Sequence, residues 1–227
     1  ALSLLAPRLD DLDDGVREAA AALLASREEL LAALGALLPK DLDALCTRIH
    51  GDFHLGQVLD VHGDAMLIDF EGEPARALDA RRAKSHPLRD VAGLLRSLSY
   101  ASAAAQFSIE KAPAPTADLK RALFDRFGQA AADRFLANYR RAVELAPTPF
   151  AGPADAERLL MLFLVEKAAY ELAYEAANRP DWLSVPVLGL AALGAQLLGR
   201  DRGPDQDQDG PSSESHSPDE LPPENPQ

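Results

Sequence analysis

Two short apolar runs, Val58-Leu59-Asp60-Val61 and Ala65-Met66-Leu67-Ile68, stand on either side of His62-Gly63-Asp64. A brief connector with glycine between such runs signals a β-hairpin, because glycine accepts the left-handed backbone angles of a tight turn. His50-Gly51-Asp52-Phe53-His54-Leu55-Gly56-Gln57 leads into the first run, and Asp69-Phe70-Glu71 follows the second. The hairpin therefore returns Asp69 to the side of Gln57. Thr47-Arg48-Ile49-His50 reads as a short strand entering the loop that carries Asp52.

An acid, a carboxamide five residues on and a second acid seventeen residues on suit phosphoryl transfer. That chemistry requires one group to orient the attacking hydroxyl and oxygen ligands to hold Mg2+, which prefers carboxylates, carbonyls and waters. Asp52 suits the first role. Gln57, through its amide oxygen, and Asp69, through its carboxylate, suit the second. A lone His-Gly-Asp is ordinarily a solvated loop, but here the hairpin and both acids occur together. His50, Asp52 and His54 also alternate like metal-hydrolase ligands. Such ligands usually come from several segments, whereas His62 sits in the turn, His86 abuts Pro87 and His216 lies near the C-terminus.

Most of the remaining chain reads as helix. Val16, Leu23, Leu30 and Leu37, with Leu24, Leu31 and Leu38 beside them, recur every seven residues and predict one apolar face, capped by Asp13 or Asp14 and stopped by Pro39. Further helices are expected at roughly 87–105, 118–144 and 153–178, with a last one after Ser184-Val185-Pro186. Lys111 to Thr116, with two prolines, is the clearest internal linker. In the 153–178 helix, Lys167, Tyr170, Glu171, Tyr174 and Asn178 fall on one face. Aromatic faces pack on sugar rings while charged and amide groups hydrogen-bond hydroxyls, so this stripe is a candidate sugar subsite; the alternative is a solvated helix face.

The 47% hydrophobic content of these 227 residues is enough for a sizeable core, and no apolar run reaches bilayer-spanning length. The net charge of −13 argues against nucleic-acid binding, which needs basic surfaces to replace phosphate counterions. Residues 203–227 hold seven acids, six prolines and no Lys or Arg, leaving −6 for the remainder. That composition predicts a disordered acidic tail. A single cysteine, Cys46, excludes an internal disulfide, and with no signal-like start the expected compartment is the cytoplasm.

Taken with their surroundings, these segments resemble maltokinase, within the wider aminoglycoside and choline kinase-like group. The resemblance rests on His50 to Leu59, Ile68-Asp69-Phe70-Glu71-Gly72-Glu73-Pro74, Pro87-Leu88-Arg89-Asp90-Val91-Ala92-Gly93, Glu166-Lys167-Ala168-Ala169-Tyr170-Glu171 and Asn178-Arg179-Pro180-Asp181-Trp182-Leu183. It implies an ATP-dependent kinase phosphorylating maltose at its anomeric hydroxyl, giving maltose 1-phosphate for α-glucan (glycogen) synthesis. It implies Asp52 as catalytic base, Gln57 and Asp69 as Mg2+ ligands, and His50 and Asp90 as supports of the loop. His54, Lys167, Tyr170, Glu171, Tyr174, Asn178 and Arg179 complete the candidate site on the sugar side.

The expected fold class is α+β, mostly α: the helical C-terminal lobe of a protein-kinase-like enzyme over residues 1–202, with a small hairpin carrying the catalytic and metal residues, then the tail 203–227. A complete kinase of this type has an N-terminal β-rich lobe with a strand lysine. Here only about 50 residues precede Asp52, and they read as helical. The chain begins at Ala1 and has methionine only at 66 and 161, so the N-lobe is expected to be missing, supplied in cis or in trans. Two alternatives stand beside this reading. One is a noncatalytic lobe that binds a sugar or a partner. The other is an aminoglycoside-type phosphotransferase, disfavoured because a cationic substrate calls for more acid than the Lys-Tyr stripe offers.

Overall fold

The structure, a computed structural model, describes residues 1–38, 44–107, 114–146 and 150–200. Seven α-helices, four short 3-10 turns and one two-stranded sheet occur among them: α1 Asp14–Ala25, α2 Arg27–Leu37, β1 Val58–Val61, β2 Asp64–Leu67, α3 Leu78–Arg82, α4 Leu88–Phe107, α5 Ala114–Glu144, α6 Pro153–Asn178 and α7 Ser184–Leu197. The predicted acidic tail, the Pro39 stop and the first half of the predicted linker lie outside the described residues. The linker's second half forms the first turn of α5, where Pro115 is tolerated because the first helical N–H groups have no partner to lose.

The heptad at the N-terminus does not make one helix. It breaks at Ser26, which closes α1 and opens α2 with backbone angles of −91° and 8°. Serine is a weak helix former, and Arg200, just after α7, donates a 2.7 Å hydrogen bond to its hydroxyl and pairs with Glu29. The break keeps Val16, Leu23 and Leu30 buried, while Leu31 and Leu38 face outward.

Helix α6 is the wall shared by two apolar clusters. On one side, Leu172 and Ala176 pack with Leu5, Leu12, Val16 and Leu23 from the N-terminal segment and with Leu183, Val187 and Leu190 from α7 and its approach. On the other, Leu159 and Leu160 pack with Leu88, Val91 and Ala92 of α4. This explains why residues 159–165 are apolar nearly all round.

The hairpin is antiparallel, pairing Val58 with Leu67 through Val61 with Asp64. Its turn has two residues, not three, because Asp64 already pairs. His62 and Gly63 take φ of 57° and 85°, the left-handed pair that matches strand twist, and the Gly63 N–H donates to Asp60 at 3.0 Å. The predicted strand at Thr47–His50 is reduced to one bridge, Thr47 with Ser85. Among the described residues no longer strand lies alongside it: Thr47 exchanges two backbone bonds with Ser85, and side chains hold the rest of the segment. No helix among the described residues is long and apolar enough to cross a membrane.

Helix α4 begins beside a buried histidine. His86 Nδ1 accepts the Leu88 N–H at 3.2 Å, and its ring lies against Phe163 and Phe150. Burial holds the His86 pKa below its ordinary 6.5, since a charged ring there would lose solvent and its acceptor lone pair. The folded state thus resists a proton that the unfolded chain accepts, so the contribution is full above 6.5 and is lost as pH falls below it. Thermal melts should show stability dropping on acidification from about pH 6.5. His86→Gln should flatten that part of the profile while lowering stability at neutral pH.

Candidate active site

The loop from His50 to Gln57 is fastened to one face of α4. Asp90 accepts two backbone bonds, from His50 N at 2.7 Å and Gly51 N at 2.9 Å. One turn on, Gly93 leaves room for the loop: a Cβ there would lie 2.5 Å from the Phe53 carbonyl oxygen. Another turn on, the Ser97 hydroxyl accepts the Leu55 N–H at 3.1 Å and donates to Leu94 O at 2.8 Å. Positions 90, 93 and 97 share a helix face. Ser97 was not singled out from sequence; the signal that could have found it is the small and polar spacing on an otherwise apolar helix.

His50, which is buried, ties the loop to the hairpin. Its Nε2 lies 2.7 Å from Ile68 O and its Nδ1 3.4 Å from Asp52 N. A carbonyl only accepts and an amide N–H only donates, so the proton sits on Nε2. Phe53 and Phe70 flank the ring at 5.5 and 4.8 Å. The loop also approaches the segment after the hairpin through glycine: Gly51 has φ of 85°, and a Cβ there would meet Gly72 Cα at 3.1 Å.

Of the three residues singled out by spacing, Gln57 and Asp69 meet, and Asp52 is linked to Gln57 through His54. Ile68 N donates to Gln57 O at 3.1 Å, which carries the hairpin ladder one step past β2 and puts Gln57 Nε2 3.4 Å from Asp69 Oδ2. Asp69 holds φ of 62°, a left-handed backbone that a non-glycine residue adopts at some cost and that aims its carboxylate into this corner. His54 bridges inward: its Nδ1 accepts Gly56 N at 3.1 Å, and its Nε2 lies 3.5 Å from the Gln57 amide and 3.9 Å from Asp52 Oδ2. Asp52 Oδ1 stands 3.9 Å from Lys167 Nζ.

The α6 stripe divides. Lys167 and Tyr170 face Asp52 across a small cleft that Glu73, Arg76 and Arg89 also border, with the Lys167 ammonium 5.2 Å from the Tyr170 ring centre. Burial first, then neighbouring Glu73, raises the Tyr170 hydroxyl pKa, so it stays protonated and can donate. Tyr174 stacks on Tyr170 at 6.4 Å. Glu171 turns inward to Arg96 at 2.7 Å, both side chains being nearly buried, and burial raises its pKa against the opposing pull of Arg96. Asn178 hydrogen-bonds Tyr174 O of its own helix at 2.8 Å. Arg179 pairs with buried Glu175 at 2.6 Å and lies over Tyr174 and Trp182.

No family model matches the chain. Among curated proteins it is similar to a glucosamine kinase of Mycolicibacterium smegmatis, 33% identical over 172 residues that make up 75% of this chain and 40% of that protein. A glucosamine kinase of Streptacidiphilus jiangxiensis is 31% identical over 157 residues, 67% of this chain and 34% of that protein. The chain thus spans well under half the length of the curated relatives it matches. A solved glucosamine kinase in complex with glucosamine, ADP and inorganic phosphate covers 88% of this chain, which covers 47% of it, at 25% identity and a TM-score of 0.56. Another crystal form, 24% identical over 88% of this chain and 46% of that one, shares the fold with a TM-score of 0.58. The mostly helical, kinase-like α+β architecture agrees with these neighbours.

These matches correct the maltokinase reading, and with it maltose, maltose 1-phosphate and α-glucan synthesis. The physical reason lies in the stripe. The loop and hairpin motifs do not distinguish one sugar from another, and of the side chains taken to identify a disaccharide, Glu171 is engaged by Arg96 and Asn178 by its own helix.

The fit of the loop against α4 can be tested. Gly→Ala inside a helix ordinarily stabilises by about 0.5–1 kcal/mol. Gly93→Ala should instead destabilise by roughly 1–3 kcal/mol, because the new methyl meets the Phe53 carbonyl. Denaturant melts give the sign directly.

Proposed function

We propose that this chain forms the helical lobe of an ATP-dependent amino-sugar kinase, which transfers the terminal phosphoryl group of ATP to a hydroxyl of a glucosamine-type sugar. The observation that carries the reading is the contact of Gln57 with Asp69, and of His54 with both Gln57 and Asp52, on one braced loop-and-hairpin unit, in a chain similar to proteins named glucosamine kinase. One solved neighbour holds glucosamine, ADP and phosphate, which supports both substrate classes. Its greater length, together with the outward-facing apolar residues Leu59, Val61, Met66 and Leu67 of the hairpin, supports a second lobe closing over this side.

In this reading Asp52 accepts the hydroxyl proton and orients the oxygen for attack. Its carboxylate is held by position: Asp90 fixes the backbone on one side, while Lys167 and His54 bound it on the other. Gln57 and Asp69 fit a hard cation, since they offer an amide oxygen and a carboxylate in one corner with open space for water and phosphate oxygens. Which end of the Gln57 amide faces Asp69 depends on its neighbour. Its nitrogen donates to the bare carboxylate, and its oxygen would face a cation. When bound there, Mg2+ neutralises phosphate charge. Lys167 and Tyr170 present an ammonium, a hydroxyl and an aromatic face to the sugar.

Assayed with glucosamine and ATP in the polypeptide that carries this chain with its nucleotide-binding lobe, Asp52→Asn should lower turnover by about 10²–10⁴-fold. Sugar affinity by calorimetry should stay within a few-fold, because the amide keeps the shape of the acid. Turnover close to that of the unaltered protein would remove Asp52 from the chemistry.

A further inference from the structure

We propose that Glu73 selects the amino sugar by pairing its carboxylate with the sugar's ammonium group, an assignment that rests on the amino-sugar reading above. Four acids border the cleft, and three are engaged. Asp90 gives both oxygens to the His50 and Gly51 backbone. Glu166 meets Arg89 at 2.9 Å and Arg76 at 3.5 Å. Asp52 faces Lys167. Glu73 lies across the cleft beside the neutral Tyr170 hydroxyl, so of these four it is the one met neither by a cation nor by a pair of backbone N–H groups.

The three cations at the cleft are engaged in the same pairs, Arg76 and Arg89 with Glu166 and Lys167 with Asp52. A neutral sugar would leave Glu73 as it stands. A protonated amine supplies the missing charge, and hydrogen bonds between ionised partners are roughly twice as strong as neutral ones. Glu73 is also well placed for selection without chemistry. It follows Gly72, whose φ of 80° turns the chain after the hairpin, and it faces the cleft from the loop while Lys167 and Tyr170 face it from α6. The acid that a cationic substrate requires therefore comes from the segment after the hairpin, not from the helix.

Calorimetric titration of the polypeptide that carries this chain with its nucleotide-binding lobe, using glucosamine, N-acetylglucosamine and glucose, tests this. The chain is expected to bind glucosamine about tenfold more tightly than the two uncharged sugars. That preference should fade as pH rises through roughly 8, where an amine loses its proton. Glu73→Gln should bring glucosamine to the affinity of glucose and leave glucose unchanged. Should Glu73→Gln melt at lower temperature, Glu73→Asp serves in its place: it keeps the charge, withdraws it by one methylene and should weaken glucosamine alone. A variant that folds and keeps the full preference overturns the Glu73 assignment and leaves the amino-sugar reading in place. An unaltered two-lobe protein that binds glucosamine no better than glucose, or binds neither, overturns both.

Discussion

The Asp90 carboxylate is the contact on which the candidate site depends. Its two oxygens receive consecutive backbone N–H groups, His50 and Gly51, at 2.7 and 2.9 Å. Two successive amides can converge on one carboxylate because Gly51 takes the left-handed angle that a side chain would resist. With its backbone so fixed, His50 can direct its ring to Ile68 O and its Nδ1 to Asp52 N. A single acid at the start of α4 thereby sets the loop, the direction of Asp52 and the root of the hairpin. Removing it would leave two donors facing a partly buried space, at about 1–3 kcal/mol for each unsatisfied group.

Helix α6 performs the matching task on the other side of the cleft. Its apolar faces are held between α4 and α7, but apolar packing alone permits small sliding. The Arg96–Glu171 ion pair, with both side chains nearly buried, restricts that freedom through a directional bond from Arg96 Nε to Glu171 Oε2 at 2.9 Å, with Nη2 2.7 Å from the same oxygen. Gly189 of α7 makes room for it, since a Cβ there would fall 2.3 Å from the Arg96 guanidinium. Burying such a pair offers little net stability. What it provides here is register: Lys167 lies one turn before Glu171, so the Arg96 bond also sets how far Lys167 reaches toward Asp52.

Much of this was legible in the sequence because it follows from local rules. The hairpin needed only two apolar runs and a glycine, and the pairing of Gln57 with Asp69 follows from it. The α4, α5 and α6 spans follow from periodicity. The break at Ser26 was not legible, since it involves Arg200, far along the chain. The roles of Gly93 and Ser97 were hidden for a similar reason: what a helical position touches depends on a loop packed over it. The stripe on α6 shows the limit of a helical wheel. Lys167 and Glu171 share a face by spacing, yet they diverge in space because Arg96 waits on one side and Asp52 on the other. The assignment of a disaccharide followed from treating that face as uniform, and the dismissal of a cationic sugar followed from counting acids on α6 while Glu73 lay on the loop.

The placement of the candidate metal residues at the root of the hairpin, and not at its tip, has a mechanical basis. A two-stranded ribbon alone is marginal in water, and both strands here are largely exposed. Its tip at His62-Gly63 is held only by local bonds. Its root is braced from three directions: Gln57 O accepts Ile68 N, His50 holds Ile68 O, and Arg48 donates to Phe70 O at 2.9 Å. Ligands for a hard cation must hold their geometry within tenths of an ångström to discriminate at all. Only the root offers such constraint, and the left-handed angle of Asp69 can persist there because the carbonyls on both sides of it, those of Ile68 and Phe70, are each bonded to side chains of the segment entering the loop, His50 and Arg48.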